Sequence, residues 1–216
     1  MPHPEDLFDA QTDAIGLFRE WASDPNTLIV DTETTRLEGG VWEFAAVRLR
    51  HPSPVLAYIC QPETEWGEKA RPMHVARLAE IRAAPRADVF RAVTCEVLNT
   101  SRSLSYGGDS DHAVLERTFP GEELPAFGCI LTAYAPIYGE WSEKHQDWTF
   151  ASLTAALERE QVDVSTLPAE HTAYGDALRA ALLVQAVAQQ LTPFEEEARD
   201  NEEARLSSRP PVWDES

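Results

Sequence analysis

Short apolar runs and helix-like spacings alternate along this chain. Residues 28–30, Leu-Ile-Val, are apolar and contain two β-branched side chains, which is typical of a short buried strand. Two further β-type segments, 41–49 and 54–60, are separated by a proline-rich turn at 51–54. The pattern therefore predicts a meander of three strands.

Helical spacing occurs on both sides of this meander. Ile15, Phe18 and Trp21 recur at intervals of three and predict a helix over residues 9–22. The predicted elements after the meander are helices at 72–81, 85–98, 109–119, 148–160 and 173–191, a short strand at 104–106 and an apolar segment at 128–138 that fits either a helix or a strand. This order is that of an α/β or α+β domain with a mixed sheet.

The first predicted strand runs directly into two acidic residues. Asp31 and Glu33 are spaced i, i+2, so they point to the same side of an extended chain. Two carboxylates held together repel each other, and a bound cation removes that repulsion. The pair therefore indicates a cation site, with a solvated strand end as the alternative.

Other acidic residues are placed to join this pair at the starts of predicted helices. Asp111 follows the turn at 106–108, and Asp176 lies in the first turn of the long apolar helix. His171 precedes Asp176 by five residues, a spacing expected about once by chance in a chain with these numbers of histidines and acids. The position of this pair makes it informative despite that chance frequency. Helix geometry places Asp176 on a defined face of the helix, and His171 can reach the same face.

Three motifs in this order resemble those of the DEDDh-type 3′→5′ exonucleases, the DnaQ-like group that includes polymerase proofreading subunits and RNase T. Residues 31–35, Asp-Thr-Glu-Thr-Thr, match the first motif. Residues 106–111, Tyr-Gly-Gly-Asp-Ser-Asp, are similar to the second, and residues 171–177, His-Thr-Ala-Tyr-Gly-Asp-Ala, to the third. The resemblance extends from about residue 28 to about residue 191.

The chain departs from the family pattern at a few positions. Arg36 replaces a glycine after the first motif, and Gly107 and Ser110 replace the asparagine and phenylalanine of the second. Asp109 competes with Asp111 for the acidic position of that second motif. The distance from the motif's tyrosine favours Asp111.

The resemblance implies an α/β fold with an RNase H-like mixed β-sheet, an antiparallel meander plus parallel strands, flanked by helices. It implies a divalent-metal-dependent 3′→5′ exonuclease that hydrolyses phosphodiester bonds at the 3′ end of single-stranded nucleic acid, DNA favoured somewhat over RNA, to 5′-mononucleotides. Two cations, Mg²⁺ or Mn²⁺, are implied as cofactors. The implied catalytic and metal-binding residues are His171 as general base and Asp31, Glu33, Asp111 and Asp176 as metal ligands. The candidate substrate-binding residues are Thr32, Thr34, Thr35, Tyr106 and His74.

The net charge of −19 and the pI of about 4.6 oppose a broad electrostatic attraction to nucleic acid or to anionic lipid. Together with the altered second motif, this charge supports an alternative: a catalytically weak or inactive nuclease-fold protein that binds within a nucleic-acid-processing complex. Six of the eighteen lysines and arginines lie between Lys69 and Arg91. They form either a path for a single strand or the solvated faces of two helices.

With 216 residues, 43% of them hydrophobic, the chain is long enough for one well-buried domain. We expect an N-terminal helical extension at 1–25, an exonuclease domain at 26–193 and an acidic tail at 194–216, helical at first and then flexible, which is a candidate docking segment for a protein partner. Three widely spaced cysteines indicate neither a disulfide framework nor a zinc cluster and favour a cytoplasmic location. The sequence contains no signal-peptide pattern or membrane-spanning run.

Overall fold

A five-stranded β-sheet lies at the centre of the computed structural model, which describes residues 4–36, 38–66 and 75–207. Its strands are β1 (Thr27–Thr34), β2 (Val41–Arg48), β3 (Pro54–Ile59), β4 (Arg102–Ser105) and β5 (Gly128–Cys129). Their order across the sheet is β3-β2-β1-β4-β5. The first three strands pair antiparallel, whereas β4 pairs parallel with β1 and β5 pairs parallel with β4. The predicted mixed sheet, a meander plus parallel strands, is confirmed.

Helices cover both faces of this sheet. In the described part of the chain they are α1 (Pro4–Ser23), α2 (Leu78–Ala83), α3 (Arg91–Asn99), α4 (Gly108–Thr118), α5 (Ile130–Tyr138), α6 (Leu153–Arg159), α7 (Ala173–Ala188) and α8 (Pro193–Ser207). Short 3₁₀ turns at 75–77 and 87–90 precede α2 and α3.

Side-chain alternation along β1 assigns its residues to two hydrophobic clusters. Ile29 packs in one cluster with residues of α1, α5 and α7, whereas Leu28 and Val30 pack in the other with residues of α3 and α4. Successive side chains of a strand point to opposite faces, so both faces of the strand are buried. This is why residues 28–30 form an unbroken apolar run.

The first helix is part of the main core. Ile15, Phe18 and Trp21 of α1 are buried in the same cluster as Ile29, and α1 packs against α5 and α7. The helix begins at residue 4, five positions before its predicted start. The division into an extension at 1–25 and a separate domain stays a prediction.

The acidic segment after residue 193 begins as a helix, α8, and is attached to α1. Arg19 donates two hydrogen bonds to the carboxylate of Glu195, at 2.8 and 3.1 Å. The last part of the predicted tail, residues 208–216, lies outside the described residues. No helix within the described residues has the length and apolar character needed to cross a bilayer.

The sequence prediction was wrong for residues 148–152. A helix was predicted from 148, but Trp148 belongs to a two-stranded hairpin, β6 (Trp141–Ser142) and β7 (Asp147–Trp148). The rings of Trp141 and Trp148 pack edge to face, 5.1 Å apart across the hairpin. The helix α6 begins only at Leu153, because the Ser152 hydroxyl accepts a hydrogen bond from the Ala155 amide and caps it there.

Candidate active site

Three carboxylates converge where β1 leaves the core. Asp31 and Glu33 lie on β1 just after its buried residues, and Asp176 lies in the first turn of α7, which packs against β1. One oxygen from each of these half-buried side chains lies within 4.8 Å of the others. These three residues are called the acidic cluster below.

The start of α7 places Asp176 in this cluster. The Thr172 hydroxyl accepts a hydrogen bond from the Gly175 amide and caps the helix. Gly175 allows a very close approach of the preceding loop, because a Cβ at this position would lie 2.3 Å from the carbonyl oxygen of Ala169. A carboxylate in the first turn also interacts favourably with the helix dipole. The turn is therefore built around a glycine that permits the approach of the loop.

Asp111 lies beside the acidic cluster, at the start of α4, and is 8% exposed. Its Oδ1 accepts hydrogen bonds from the amide and the hydroxyl of Thr32, at 3.1 and 2.6 Å. Thr32 lies between Asp31 and Glu33 in the chain, so these bonds attach Asp111 to the acidic strand. Asp109, the competing candidate, is exposed. Asp111 is not one of the three residues whose oxygens lie within 4.8 Å of each other.

Burial and mutual repulsion raise the pKa values of these carboxyl groups. Burial raises the pKa of Asp31 well above its usual value, and the charge of Asp111 raises it further, followed by those of Glu33 and Asp176. The pKa of Glu33 rises to about 8, first through burial and then through Asp176. Burial also raises the pKa values of Asp111 and Asp176. Buried carboxylates that repel one another are stabilised when they bind protons or a cation.

The backbone of His171 is hydrogen-bonded to the side chain of Asp176. Its amide donates a hydrogen bond to Asp176 Oδ2 at 3.2 Å, and its side chain is exposed. Its backbone is left-handed, with φ of +59°, which is uncommon for a residue with a side chain. Thr172, not His171, caps the helix. The exposed imidazole therefore lies on a constrained loop beside the acidic cluster.

The three predicted substrate-binding threonines differ in exposure. Thr34, at the end of β1, is half-buried, as is Thr32. Thr35 is fully buried, and its hydroxyl lies 2.7 Å from that of Thr64. The substrate-binding roles of these threonines stay predictions.

Tyr106 follows β4 and is half-buried against the main core. Its hydroxyl donates a hydrogen bond to the carbonyl oxygen of Ala151 at 2.7 Å, which joins the end of β4 to the segment before α6. His74, the remaining predicted substrate contact, lies outside the described residues.

Sequence reasoning missed a buried arginine beside Asp176. Arg179 is 6% exposed and lies one turn further along α7. Its Nη1 is 3.6 Å from Asp176 Oδ1, its Nε is 3.9 Å from Glu170 Oε1, and neither nitrogen has a hydrogen-bond partner among the described residues. The guanidinium lowers the pKa of Asp176 and so opposes the effect of burial. The available signal was a single charged residue within the Ala- and Leu-rich part of the helix.

A second charged pair was also missed. Glu43 is 7% exposed on β2 and pairs in register with Glu33, and Arg77 Nη1 donates to Glu43 Oε2 at 2.7 Å. Glu43 was visible in the sequence as the one acid in the otherwise apolar run of β2, Val-Trp-Glu-Phe-Ala-Ala-Val. Both residues act on Glu33, because Glu43 raises its pKa and Arg77 lowers it.

Comparisons of the sequence with protein-family models and with curated proteins find no match. Several solved structures are similar to this chain, and two of them are nucleases by their descriptions. One is Exonuclease X in complex with 5′ overhanging duplex DNA, with a TM-score of 0.55 and 19% identity, covering 79% of this chain and 98% of that chain. The other is the RNase domain of the yeast Pop2 protein, with a TM-score of 0.53 and 11% identity, covering 90% of this chain and 92% of that chain.

The chain has the fold of these nucleases. The likeness confirms the predicted RNase H-like α/β fold and agrees with the resemblance to DEDDh-type exonucleases. At these identities the likeness concerns the fold, and the activity has to be inferred from the site itself.

Proposed function

We propose that this protein is a divalent-metal-dependent 3′→5′ exonuclease that hydrolyses phosphodiester bonds at the 3′ end of single-stranded nucleic acid, DNA somewhat favoured over RNA, and releases 5′-mononucleotides. The observation that carries this proposal is the acidic cluster. Asp176 is far along the chain from Asp31 and Glu33, yet oxygens of all three residues lie within 4.8 Å of one another. The nuclease fold and the three motifs support the same activity.

The residues fit a hard divalent cation. The cluster offers only oxygen donors, which Mg²⁺ and Mn²⁺ prefer, and its carboxyl groups carry raised pKa values that a positive charge would lower. Asp31, Glu33 and Asp176 would hold the metal, with Asp111 as the fourth ligand. When bound, two such cations activate water as a nucleophile and neutralise charge on the leaving oxygen.

The protein's own groups would position the substrate and move the proton. An imidazole accepts a proton readily near neutral pH, so His171, exposed beside Asp176, is the proposed general base for the attacking water. Thr32 holds Asp111 against β1 and so maintains the spacing of the acids. Thr34 and Tyr106, at the ends of neighbouring strands, are the proposed contacts of the terminal nucleotide.

Oligonucleotide cleavage tests this proposal. Single-stranded DNA and RNA of the same sequence, labelled at either end, are incubated with the protein and Mn²⁺, Mg²⁺ or EDTA. We expect a metal-dependent ladder from the 5′-labelled strand and immediate release of labelled mononucleotide from the 3′-labelled strand. Cleavage from the other end would contradict the direction. No cleavage with either ion by folded protein would favour the alternative of a non-catalytic binding protein.

Variants separate this protein's activity from that of a contaminating nuclease. Asp176→Asn removes one charge from the acidic cluster and should abolish metal-dependent cleavage. Asp109→Asn is the matched control, since Asp109 is an exposed acid on α4 outside the cluster, and it should cleave at the unsubstituted rate. Equal activity of the Asp176→Asn and unsubstituted proteins would refute the assignment of the site.

A further inference from the structure

A fifth carboxylate lies next to the acidic cluster on the neighbouring strand. Glu43 of β2 is directly opposite Glu33 of β1 in the antiparallel register. Residues opposite each other in this way are on the same face of the sheet with Cβ atoms about 5 Å apart, and like charges there are destabilising. Glu43 is nevertheless 7% exposed, so its charge requires a compensating partner.

Arg77 is that partner, and three contacts fix its position. Its Nη1 donates to Glu43 Oε2 at 2.7 Å, and its Nε donates to Glu80 Oε2 at 3.2 Å. Its guanidinium carbon lies 5.1 Å from the centre of the Trp42 ring, and Trp42 is fully buried. A guanidinium stays charged at any physiological pH, so this positive charge is permanent.

We propose that Arg77 is a positioning residue that provides the acidic cluster with a built-in positive charge. Through Glu43 it offsets the repulsion around Glu33 and thereby sets how tightly the cluster binds a divalent cation. Arg77 lies on the Glu33 side of the cluster, and a second arginine, Arg179, lies on the Asp176 side. The inference rests on the proposed function, because it concerns metal binding by the same residues.

Substitutions of Arg77 and of Glu43 should change the affinity for Mn²⁺ in opposite directions. Arg77→Met removes a positive charge near the cluster, so Mn²⁺ should bind about tenfold more tightly, which is ~1.4 kcal/mol. Glu43→Gln removes the negative charge beside Glu33 and leaves Arg77 paired only with the exposed Glu80, so Mn²⁺ should bind about tenfold more weakly. A purely structural pair would give the same direction of change in both variants, since either substitution would disturb the same contacts.

The measurement is calorimetric titration of the purified full chain with Mn²⁺, without substrate. Arg91→Met is the matched control, because Arg91 also pairs with an acid and packs over an aromatic ring. Its Nη1 is 3.5 Å from Glu122 Oε1 and its guanidinium is 5.9 Å from the Phe119 ring, and neither partner belongs to the cluster. This control should bind Mn²⁺ as the unsubstituted protein does. Arg77→Lys keeps the positive charge but loses the fork of donors, so its affinity for Mn²⁺ should change less than that of Arg77→Met.

Each outcome decides the inference. Opposite shifts in the Arg77→Met and Glu43→Gln proteins support it, and shifts in one direction, or none, overturn it. If Arg77→Met does not fold, Glu43→Gln decides, since unchanged or tighter binding there contradicts the role. No Mn²⁺ binding by the unsubstituted protein would overturn the proposed function and this inference together, whereas normal binding without opposite shifts would overturn this inference alone.

Discussion

Gly175→Ala is the substitution for which the structure gives the clearest expectation. Gly175 is buried in the first turn of α7, one residue before Asp176. A Cβ at this position would lie 2.3 Å from Ala169 O, 2.7 Å from Thr172 Oγ1 and 2.9 Å from Arg179 Nη1. The closest of these atoms belongs to the backbone and cannot rotate away. The loop and the helix start therefore have to separate to accommodate one methyl group.

The size of the effect follows from this overlap. An ordinary contact starts at 3.4 Å, so the Ala169 carbonyl and the new Cβ must move about 1.1 Å apart. Overpacking of this kind costs about 1–3 kcal/mol, and in a domain of this size each kcal/mol lowers Tm by about 2–4 °C. A displacement of about 1 Å at a catalytic group can also cost about 100-fold in rate. We expect a Tm lower by about 2–12 °C, with weaker Mn²⁺ binding and slower cleavage.

Gly16→Ala is the control for this experiment. Gly16 is exposed within α1, and a Cβ there would meet no atom within 4 Å. Alanine in a helix interior is favoured over glycine by about 0.5–1 kcal/mol, so this variant should be more stable and equally active. Thermal unfolding monitored by circular dichroism, with a cleavage assay on the same samples, compares the two. A Gly175→Ala protein with unchanged Tm and full activity would refute the steric explanation.

Further expectations concern the acids and the histidine. His171→Ala should lose most turnover while it still binds Mn²⁺ in calorimetry, and cleavage at the unsubstituted rate would exclude the general-base role. Asp111→Asn should lower cleavage at least tenfold, whereas Asp109→Asn should not, and equal effects would contradict the choice between them. In EDTA, lowering the pH from about 8 towards 5 should raise Tm, because the folded-state pKa of Glu33, about 8, is above its unfolded value of 4.5, so the folded protein binds more protons in this range. Glu33→Gln should reduce this pH dependence. Saturating Mn²⁺ should raise Tm at pH 8 and should do so less at pH 5, because protons compete for the same oxygens.

Local patterns were sufficient for much of the fold. The run at 28–30 became a central strand, and the i, i+2 spacing alone placed Asp31 and Glu33 on one side of it, because side-chain direction in a strand alternates strictly. The helices predicted from 109 and 173 begin within one residue of those positions, whereas the helix predicted from Pro85 begins only at Arg91, after a 3₁₀ turn at 87–90. The predicted helix start at Trp148 was wrong. The ring of Trp148 packs against that of Trp141 across a hairpin, and this contact outweighs the local helical spacing.

The sequence by itself determined which residue types were available: three motifs in order, with acids at 31, 33, 111 and 176 and a histidine at 171. Only the tertiary structure decided which of them meet. Packing of α7 on β1 brings Asp176 to within 4.8 Å of the strand acids, and hydrogen bonds from Thr32 keep Asp111 beside them. The register of β1 and β2 placed Glu43, and with it Arg77, beside Glu33. Such proximities depend on strand register and helix packing over long chain separations, which local spacing does not encode.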